Sequence, residues 1–533
     1  MRYPALSFMI CLFIVVSVEN VLTNSIDEVA VVAFGCTAPL GFASLLRAIP
    51  LYQLAVEELN RRQSVLNFTF SVVPARNCLA VAVKDDDILA KWYYKLQKPR
   101  RIIIFIGIGS EIGCTANDVS VYNMAAELNC LIINSVSGLE INPALLPTAL
   151  SLSAIRSSSY VQLCVSLTSE FNWTSVFIVW DKNSSLINNY MATSLQDQLA
   201  SKIGSLCTLR TVASDDATTF RLELIAFRRV SRVLFFFGHA TKLRRLLITA
   251  IQLNMTDGNF AYIVVDPIPN LGQNGRFTWY NNDINDQEAK EAFRSLIILQ
   301  PAISNTSGTS NASVRLRSQF NRRSSELFNV TYSPAEQPFQ FITSTFDGVI
   351  LLGTVTFEAW KSGADLSDAR QMANQFRDRT VRSDFTDYYV NRNGVRVDNL
   401  AIAFYNLQNE QREPFLVQFF NASGILQKSG TVTGWPNLLW PPRNQPICGY
   451  LGDSCQTTDS SALLYIVLAA TVVGLGLAFV IVFQKFRHHR LTVFMEQWFL
   501  LDASRMKSPG QAAFGSSVSS RGLDPWHCRS IQK

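Results

Sequence analysis

"RIIIFIGIG" runs from Arg101 to Gly109 and opens with five consecutive large apolar residues after the arginine. A strand with one wet face alternates apolar and polar side chains, so an unbroken run rich in β-branched residues is a strand covered on both faces. "VAVVAF" (29–34), "FTFSVV" (68–73) and "CLIINS" (130–135) have the same character. Between them lie segments of helical period. In "AIPLYQLAVEELN" (48–60), Pro50 can open the helix, and Leu51, Leu54, Ala55 and Leu59 share one face. In "TANDVSVYNMAAELN" (115–129), Val121, Met124, Ala125 and Leu128 do the same. Strands alternating with helices build a parallel sheet with helices on both sides. The pattern then repeats in "VFIVW" (176–180), "CTLRTV" (207–212), "RVLFFFG" (232–238) and "YIVV" (262–265), which predicts two α/β lobes in series.

Working outward, Ala462 to Phe483 is a stretch without charge, 22 residues long. As a helix it would span about 33 Å against a hydrocarbon core of about 30 Å. "QKFRHHR" follows it, while "DSCQTTDSS" on the other flank has no Lys or Arg, so the C-terminal side is expected in the cytoplasm. At the start, Arg2 precedes the apolar run Ala5 to Val18, too short to span, which reads as a signal peptide over residues 1–24. The region between should face outwards. Eight N-glycosylation sequons fall there, at Asn67, Asn172, Asn183, Asn254, Asn305, Asn311, Asn329 and Asn421, and none in the tail 484–533. Eight cysteines share that oxidising side, an even number that permits full pairing.

The basic pI of about 8.7 does not indicate nucleic acid. Residues 484–533 carry eight Lys or Arg against three Asp or Glu, which is +5 of the whole-chain +6. A basic cluster just inside the membrane accounts for the excess by attraction to anionic lipid. "FQFITSTFDGVILLGTVTFEAW" (339–360) is apolar almost all round, but its uncharged core from Asp347 to Glu358 is too short to span and reads as a buried helix. Residues 302–314 and 504–520 are rich in small polar residues and read as loops.

These pieces in this order resemble the extracellular ligand-binding region of receptor guanylyl cyclases and natriuretic peptide receptors, with the nematode-type receptor cyclases nearest in the Trp/Pro run before the membrane. The resemblance is carried by "AIPLYQLAVEELN", by Cys78 with "IGC" (112–114), by "EFNWTSVFIVW" (170–180), by "STFDGVILL" (344–352) and by "CGYLGDSC" (448–455). It implies a bilobate α/β ectodomain of the type I periplasmic-binding-protein-like kind over residues 27–434, with two doubly wound parallel-sheet lobes. The first lobe would comprise 27–153 and 338–380, and the second 154–337 and 381–434. A juxtamembrane collar (435–461), one transmembrane helix (462–483) and a cytoplasmic tail (484–533) complete the expected layout.

The same resemblance implies a disulfide between Cys78 and Cys114 and another between Cys448 and Cys455. On chain-entropy grounds these are worth about 4 and about 2.5 kcal/mol. The shorter loop stiffens the joint before the membrane, and a plain structural clasp is the equally simple reading. Cys164, on a helix, and Cys207, entering a strand, are candidates to bridge within the second lobe. Cys36 and Cys130 are left over, as free buried thiols or for an intermolecular bond.

Candidate ligand contacts lie on loops at the carboxyl ends of strands. They are Thr115, Ser135, Asp181 and His239, with Gly35, Arg76 and Asp266 further along the same rim. "GIGSEIGCT" (107–115) fails as a dinucleotide fingerprint because its glycines are spaced one residue too far. In natriuretic peptide receptors the matching Gly-Cys pair binds chloride through backbone N–H groups. Gly113 and Cys114 fit that role, but "VVPARNC" (72–78) lacks the serine that assists it, and a disulfide-anchored turn accounts for the pair without an anion. No other cofactor and no metal is expected. Catalysis outside is disfavoured, since His239 is the only histidine between the signal peptide and the membrane, and no G-x-S-x-G elbow occurs.

The expected function is therefore a single-pass type I plasma-membrane receptor for an unidentified extracellular ligand, with no catalytic domain in this chain. Clearance or decoy receptors, dominant-negative subunits, a truncated form of a full cyclase and an anchored extracellular enzyme are the alternatives. Ala470, Gly474 and Ala478 make small-xxx-small steps that fit a homodimer, or a heterodimer with a related receptor.

Overall fold

Glu28–Phe34 forms the first strand, β1, followed by α1 (Leu45–Arg62), β2 (Asn67–Val72), α2 (Asp85–Leu96), β3 (Arg101–Gly107), α3 (Asp118–Glu127), β4 (Leu131–Asn134) and β5 (Ala149–Ser151). The structure is a computed structural model that describes residues 26, 28–35, 44–73, 85–107, 118–136, 141–203, 207–268, 274–302, 310–337, 339–406, 411–419, 425–451 and 460–498. The first strands pair in parallel in the order β2-β1-β3-β4-β5. Both faces of this sheet are covered. Val29, Val31 and Ala33 pack on one side with α1, whereas Ala30 and Val32 pack on the other with residues of α2 and α3.

The second lobe repeats the plan with α4 (Ser157–Glu170), β6 (Val176–Asp181), α5 (Leu186–Ile203), β7 (Cys207–Val212), α6 (Ala217–Val230), β8 (Val233–Phe237), α7 (Ala240–Gln252), β9 (Ala261–Val265), α8 (Asp286–Ala292) and β10 (Leu296–Pro301). In β8, Val233, Phe235 and Phe237 face one core while Leu234 and Phe236 face the other. The chain then returns to the first lobe through α9 (Asn311–Phe328), α10 (Phe339–Lys361), α11 (Ala369–Phe376) and a small antiparallel sheet of β11 (Arg379–Val381), β12 (Tyr388–Val390) and β13 (Arg396–Val397). It re-enters the second lobe as β14 (Leu400–Asn406), β15 (Gln411–Gln418) and β16 (Leu426–Lys428). These three strands extend the second sheet from β10 as an antiparallel meander, each antiparallel to its neighbour, giving the order β16-β15-β14-β10-β9-β8-β6-β7.

Two stretches of the first lobe differ from expectation. Helix α9 was expected in the second lobe, but Leu316 and Phe320 pack with α1 and α10, and Arg323 is ion-paired to Glu57 at 2.7 Å. Residues 381–397 were expected in the second lobe too, yet Tyr388, Val390 and Val395 are buried in first-lobe cores and Val395 bridges to Ser151. The lobes are thus joined near residues 152–156 and 398–399, and by the chain between β10 and α9. Pro50 does not open its helix. Burial of Leu45, Ala48 and Ile49 carries α1 one turn further back, at the loss of one intrahelical N–H donor.

The cysteine expectations change as well. Cys164 and Cys207 are free thiols, so the bridge expected between them is not formed. Cys164 is buried on α4, which packs against β10 and β16, while β7 with Cys207 is packed by α5. Cys130 is also free and buried, donating its Sγ–H to the Ile103 carbonyl. Cys448 is disulfide-bonded. Its expected partner Cys455, like Cys36, Cys78 and Cys114, lies outside the described residues.

Helix α10 is long and apolar enough to cross a membrane, but most of it is buried, as a core helix is. It lies against α1 closely enough that a Cβ on Gly353 would stand 2.3 Å from Leu59 Cδ2. Gly353→Val should therefore cost the first lobe about 1–3 kcal/mol by overpacking. Urea unfolding of the full chain checks this, and an unchanged midpoint would show that Leu59 can move aside. Contacts divide the chain into a unit ending at Ser454 and a second, Cys455–Lys533. In the second unit α12 (Ser460–Trp498) is a single helix, and Leu464–Val493 within it is long and apolar enough to cross a membrane, with none of it buried.

Candidate functional site

Parallel strands bring their carboxyl ends to one edge of each sheet, and the loops there form the natural ligand rim. On the first-lobe rim Ser135 follows β4 and is fully buried, with its Oγ 2.6 Å from the Tyr52 hydroxyl of α1. Burial pushes the Tyr52 hydroxyl pKa well above its ordinary value, so it stays protonated. Ser135 is thereby committed to holding α1 on the sheet. Gly113, Cys114 and Thr115, with Arg76, lie outside the described residues.

The second-lobe rim is described more fully. Asp181 closes β6, is buried, and accepts Lys242 Nζ at 2.7 Å together with the Asn183 N–H at 3.0 Å and the His239 N–H at 3.4 Å. His239 caps the N-terminus of α7 by accepting the Thr241 N–H, and its ring packs over Gly275. Gly275 has φ +72, and a Cβ there would lie 2.8 Å from the imidazole. Asp266, at the end of β9, is paired with Arg412 of β15 at 2.6 Å, and Arg412 also donates to Gln300 Oε1 and the Phe277 carbonyl. Burial raises the Asp266 pKa against the opposing pull of Arg412. Both rim acids are thus neutralised within their own lobe. Neither acid is therefore a free anion, while Lys182, next to Asp181, is exposed at the same strand end.

Two further clusters were not anticipated. One sits where the lobes cross. Asp347 of α10 accepts the Ser383 hydroxyl at 2.6 Å, and Arg396 of β13 is held by Asp398 through Nε and Nη2 at 2.7–3.0 Å. The Arg396 guanidinium lies 3.7 Å from the centre of the Tyr388 ring, and its backbone carbonyl accepts Arg156 Nη1 at 3.1 Å. Asp347 belongs to the quoted segment "STFDGVILL", but nothing in that apolar context distinguishes it from a helix-capping or solvent-facing acid.

The other cluster lies at the opposite pole of the second lobe. Trp440 packs edge-on against Phe171, Trp173, Phe415 and Trp435, with ring centres 4.6–6.1 Å apart. Trp173 Nε1 donates to the Pro442 carbonyl at 3.0 Å, and Trp435 Nε1 donates to the Gly258 carbonyl at 3.1 Å. Asn444 Oδ1 accepts the Thr174 and Ser175 N–H groups, and Arg294 Nε donates to the Gly434 carbonyl. Arg232 lies over the Phe260 and Tyr450 rings. Ser175, Arg232, Phe260 and Ser295 each immediately precede a strand, namely β6, β8, β9 and β10. Segment 434–450 therefore runs across the amino ends of four parallel strands, at the edge of the sheet away from the ligand rim. Gly258 permits this close approach: it has φ +94, and a Cβ there would meet the Pro436 carbonyl oxygen at 2.2 Å.

Comparison with known proteins places this architecture. The family described as receptor family ligand binding region matches residues 52–374, more than half of the 533-residue chain. No curated protein matches. Among solved structures, the periplasmic ligand-binding protein of a branched-chain amino acid ABC transporter from Burkholderia xenovorans aligns with 9% identity and a TM-score of 0.47, over 74% of this chain and 96% of that one. With two parallel-sheet lobes and the family match spanning both, the chain belongs to the receptor family ligand-binding region.

Proposed function

We propose that the chain is a single-span, type I cell-surface receptor whose two-lobed outer region binds an extracellular ligand and resembles that of receptor guanylyl cyclases. The observation that carries the reading is the polarity of the second lobe. Its ligand rim lies at the carboxyl ends of the strands, and segment 434–450 is fastened across the amino ends, shortly before α12 begins. A shift of this lobe on ligand binding would be passed to the segment leading to the membrane instead of being absorbed by a slack linker. Cys448 with Cys455 as partner would stiffen that segment, and Cys78 with Cys114 would pin the first lobe.

The outward orientation is supported by the sequons. Asn67, Asn172, Asn183, Asn254, Asn311 and Asn329 are all exposed, and Asn305 and Asn421 lie outside the described residues. In this reading the chain works as the binding subunit of a dimer, through the small-residue steps Ala470, Gly474 and Ala478, in the plasma membrane. A chloride at Gly113 and Cys114 is part of the same resemblance.

The test uses whole cells making the chain with a tag after Lys533. Glycosidase should lower the apparent mass, and external protease should cut the outer region while the tag survives. The same cells should bind members of a labelled panel of amino acids and secreted peptides saturably. Tag loss to external protease would overturn the topology, and an absence of saturable binding across the panel would count against the receptor reading.

A further inference from the structure

Helices α4 and α5 flank β6, one before it and one after, so both run against the strand and bring their N-termini to its carboxyl end, on the ligand rim. The two helices pack against each other. The first N–H groups of a helix have no intrahelical acceptor and carry partial positive charge. No carboxylate answers them here. Both first turns lack an acid, Arg156 gives α4 no side-chain cap, and the Ser185 hydroxyl just before α5 has no hydrogen-bond partner. The acids of the same rim are taken up elsewhere, Asp181 by Lys242, Asp266 by Arg412 and Asp398 by Arg396. Lys182 adds an exposed cation to the turn that leads into α5.

Buried side chains point to a ligand at the same place. Asn188, the third residue of α5, is 2% exposed and shares its helix face with Met191, Ala192 and Leu195, which enter the core that also takes Tyr160 and Trp180. Helical side chains lean toward the N-terminus, so the Asn188 amide lies toward the open end of α5. Its Nδ2 has no hydrogen-bond partner. The Tyr160 hydroxyl, in the first turn of α4, and Trp180 Nε1, at the end of β6, are also buried without a partner. An indole N–H can only donate. Unpaired buried donors weaken a fold, and what these three lack in common is an acceptor.

We propose that the second-lobe rim takes an oxyanion of the ligand, a carboxylate, sulfate or phosphate group, at the paired N-termini of α4 and α5, with Asn188, Tyr160 and Trp180 as side-chain donors and Lys182 as counter-charge. Backbone N–H groups at helix N-termini suit such a group because they offer several donors and a favourable dipole at once. The ligand is then an acid, and a neutral or purely cationic molecule of the same shape binds more weakly. The inference rests on the reading of the chain as a two-lobed receptor whose rim meets the ligand, but its test needs no identified ligand.

Hydrogen exchange of the full chain in lipid nanodiscs reads the two first turns directly. Sodium sulfate and sodium acetate are the probes, with sodium chloride at equal ionic strength as the reference. At least one oxyanion should slow exchange of residues 157–161 and 186–189 saturably and beyond the effect of chloride. Asn188→Leu removes a buried donor to a charged acceptor and should raise the concentration for half-protection about tenfold. Lys182→Gln, at an exposed position, should raise it by less. Protection that is absent, or matched by chloride, overturns the proposal, and so does an unchanged half-protection concentration in Asn188→Leu. Should Asn188→Leu not fold, Lys182→Gln decides, and an unmoved concentration overturns it. Protected first turns with an empty ligand panel would sink the receptor reading and leave the oxyanion site, whereas unprotected first turns with a bound panel member would do the reverse.

Discussion

Trp173→Ala is expected to destabilise the second lobe by about 3–5 kcal/mol, the range for truncating a fully buried large aromatic side chain. Trp173 is 1% exposed, its ring is 5.0 Å from Phe171 and 6.1 Å from Trp440, and its Nε1 holds the Pro442 carbonyl. Truncation removes packing, opens a void between β6 and segment 434–450, and strips a carbonyl of its donor. For a lobe of this size the loss corresponds to an unfolding midpoint lower by about 10 °C. Trp173→Phe keeps most of the ring and forfeits the hydrogen bond, so about 1–2 kcal/mol is expected. The sequon at Asn172 survives both changes, since its middle position tolerates Ala or Phe. Calorimetry of the full chain gives the midpoint, and hydrogen exchange over 434–450 reports whether the segment has come loose. A midpoint within about 1 °C of the parent, with exchange unchanged, would mean that the aromatic cluster covers the lobe without fastening anything to it.

The parallel core was legible because strands buried on both faces leave a mark that survives without neighbours: every residue of β3 from Ile103 to Gly107 is buried, and the quoted run says so directly. Strand β14 carries the same unbroken apolar run from Leu400 to Tyr405, but β15 and β16 left no such mark. Pro414 interrupts β15, the register shifts between Ile402 and Ala403, and β16 is half exposed. An amphipathic face also says that a helix covers something but not what, which is why α9 was assigned to the wrong lobe. The rim acids Asp181 and Asp266 were legible as positions at strand ends. Their partners were not, because Lys242 and Arg412 stand 61 and 146 residues away and no local pattern links them. The Trp/Pro collar was visible as a rigid segment, whereas its seat on Trp173 and Ser175 exists only in the folded lobe.

Asp347→Asn is expected to make the protein more stable than the parent above neutral pH and to make no difference in acid. A buried carboxyl titrating at about 7 in the folded chain titrates near 3.9 when unfolded. Between those values the folded state holds a proton that the unfolded state has released, so stability falls as pH rises through this window, by up to about 1.4 kcal/mol per unit. Below the window both states are protonated and the contribution is fully present, and above it both are ionised and the loss is complete. Integrated across the window, the loss amounts to about 4 kcal/mol. Asparagine cannot ionise, and its carbonyl oxygen can still accept the Ser383 hydroxyl, so the variant escapes that loss. Denaturant unfolding at about pH 4 and about pH 8 should give coincident curves at the lower pH and a variant more stable by several kcal/mol at the higher. The opposite order at high pH would mean that Arg396 already compensates an ionised Asp347 in the folded chain, making the pair a permanent ion pair rather than a proton-dependent one.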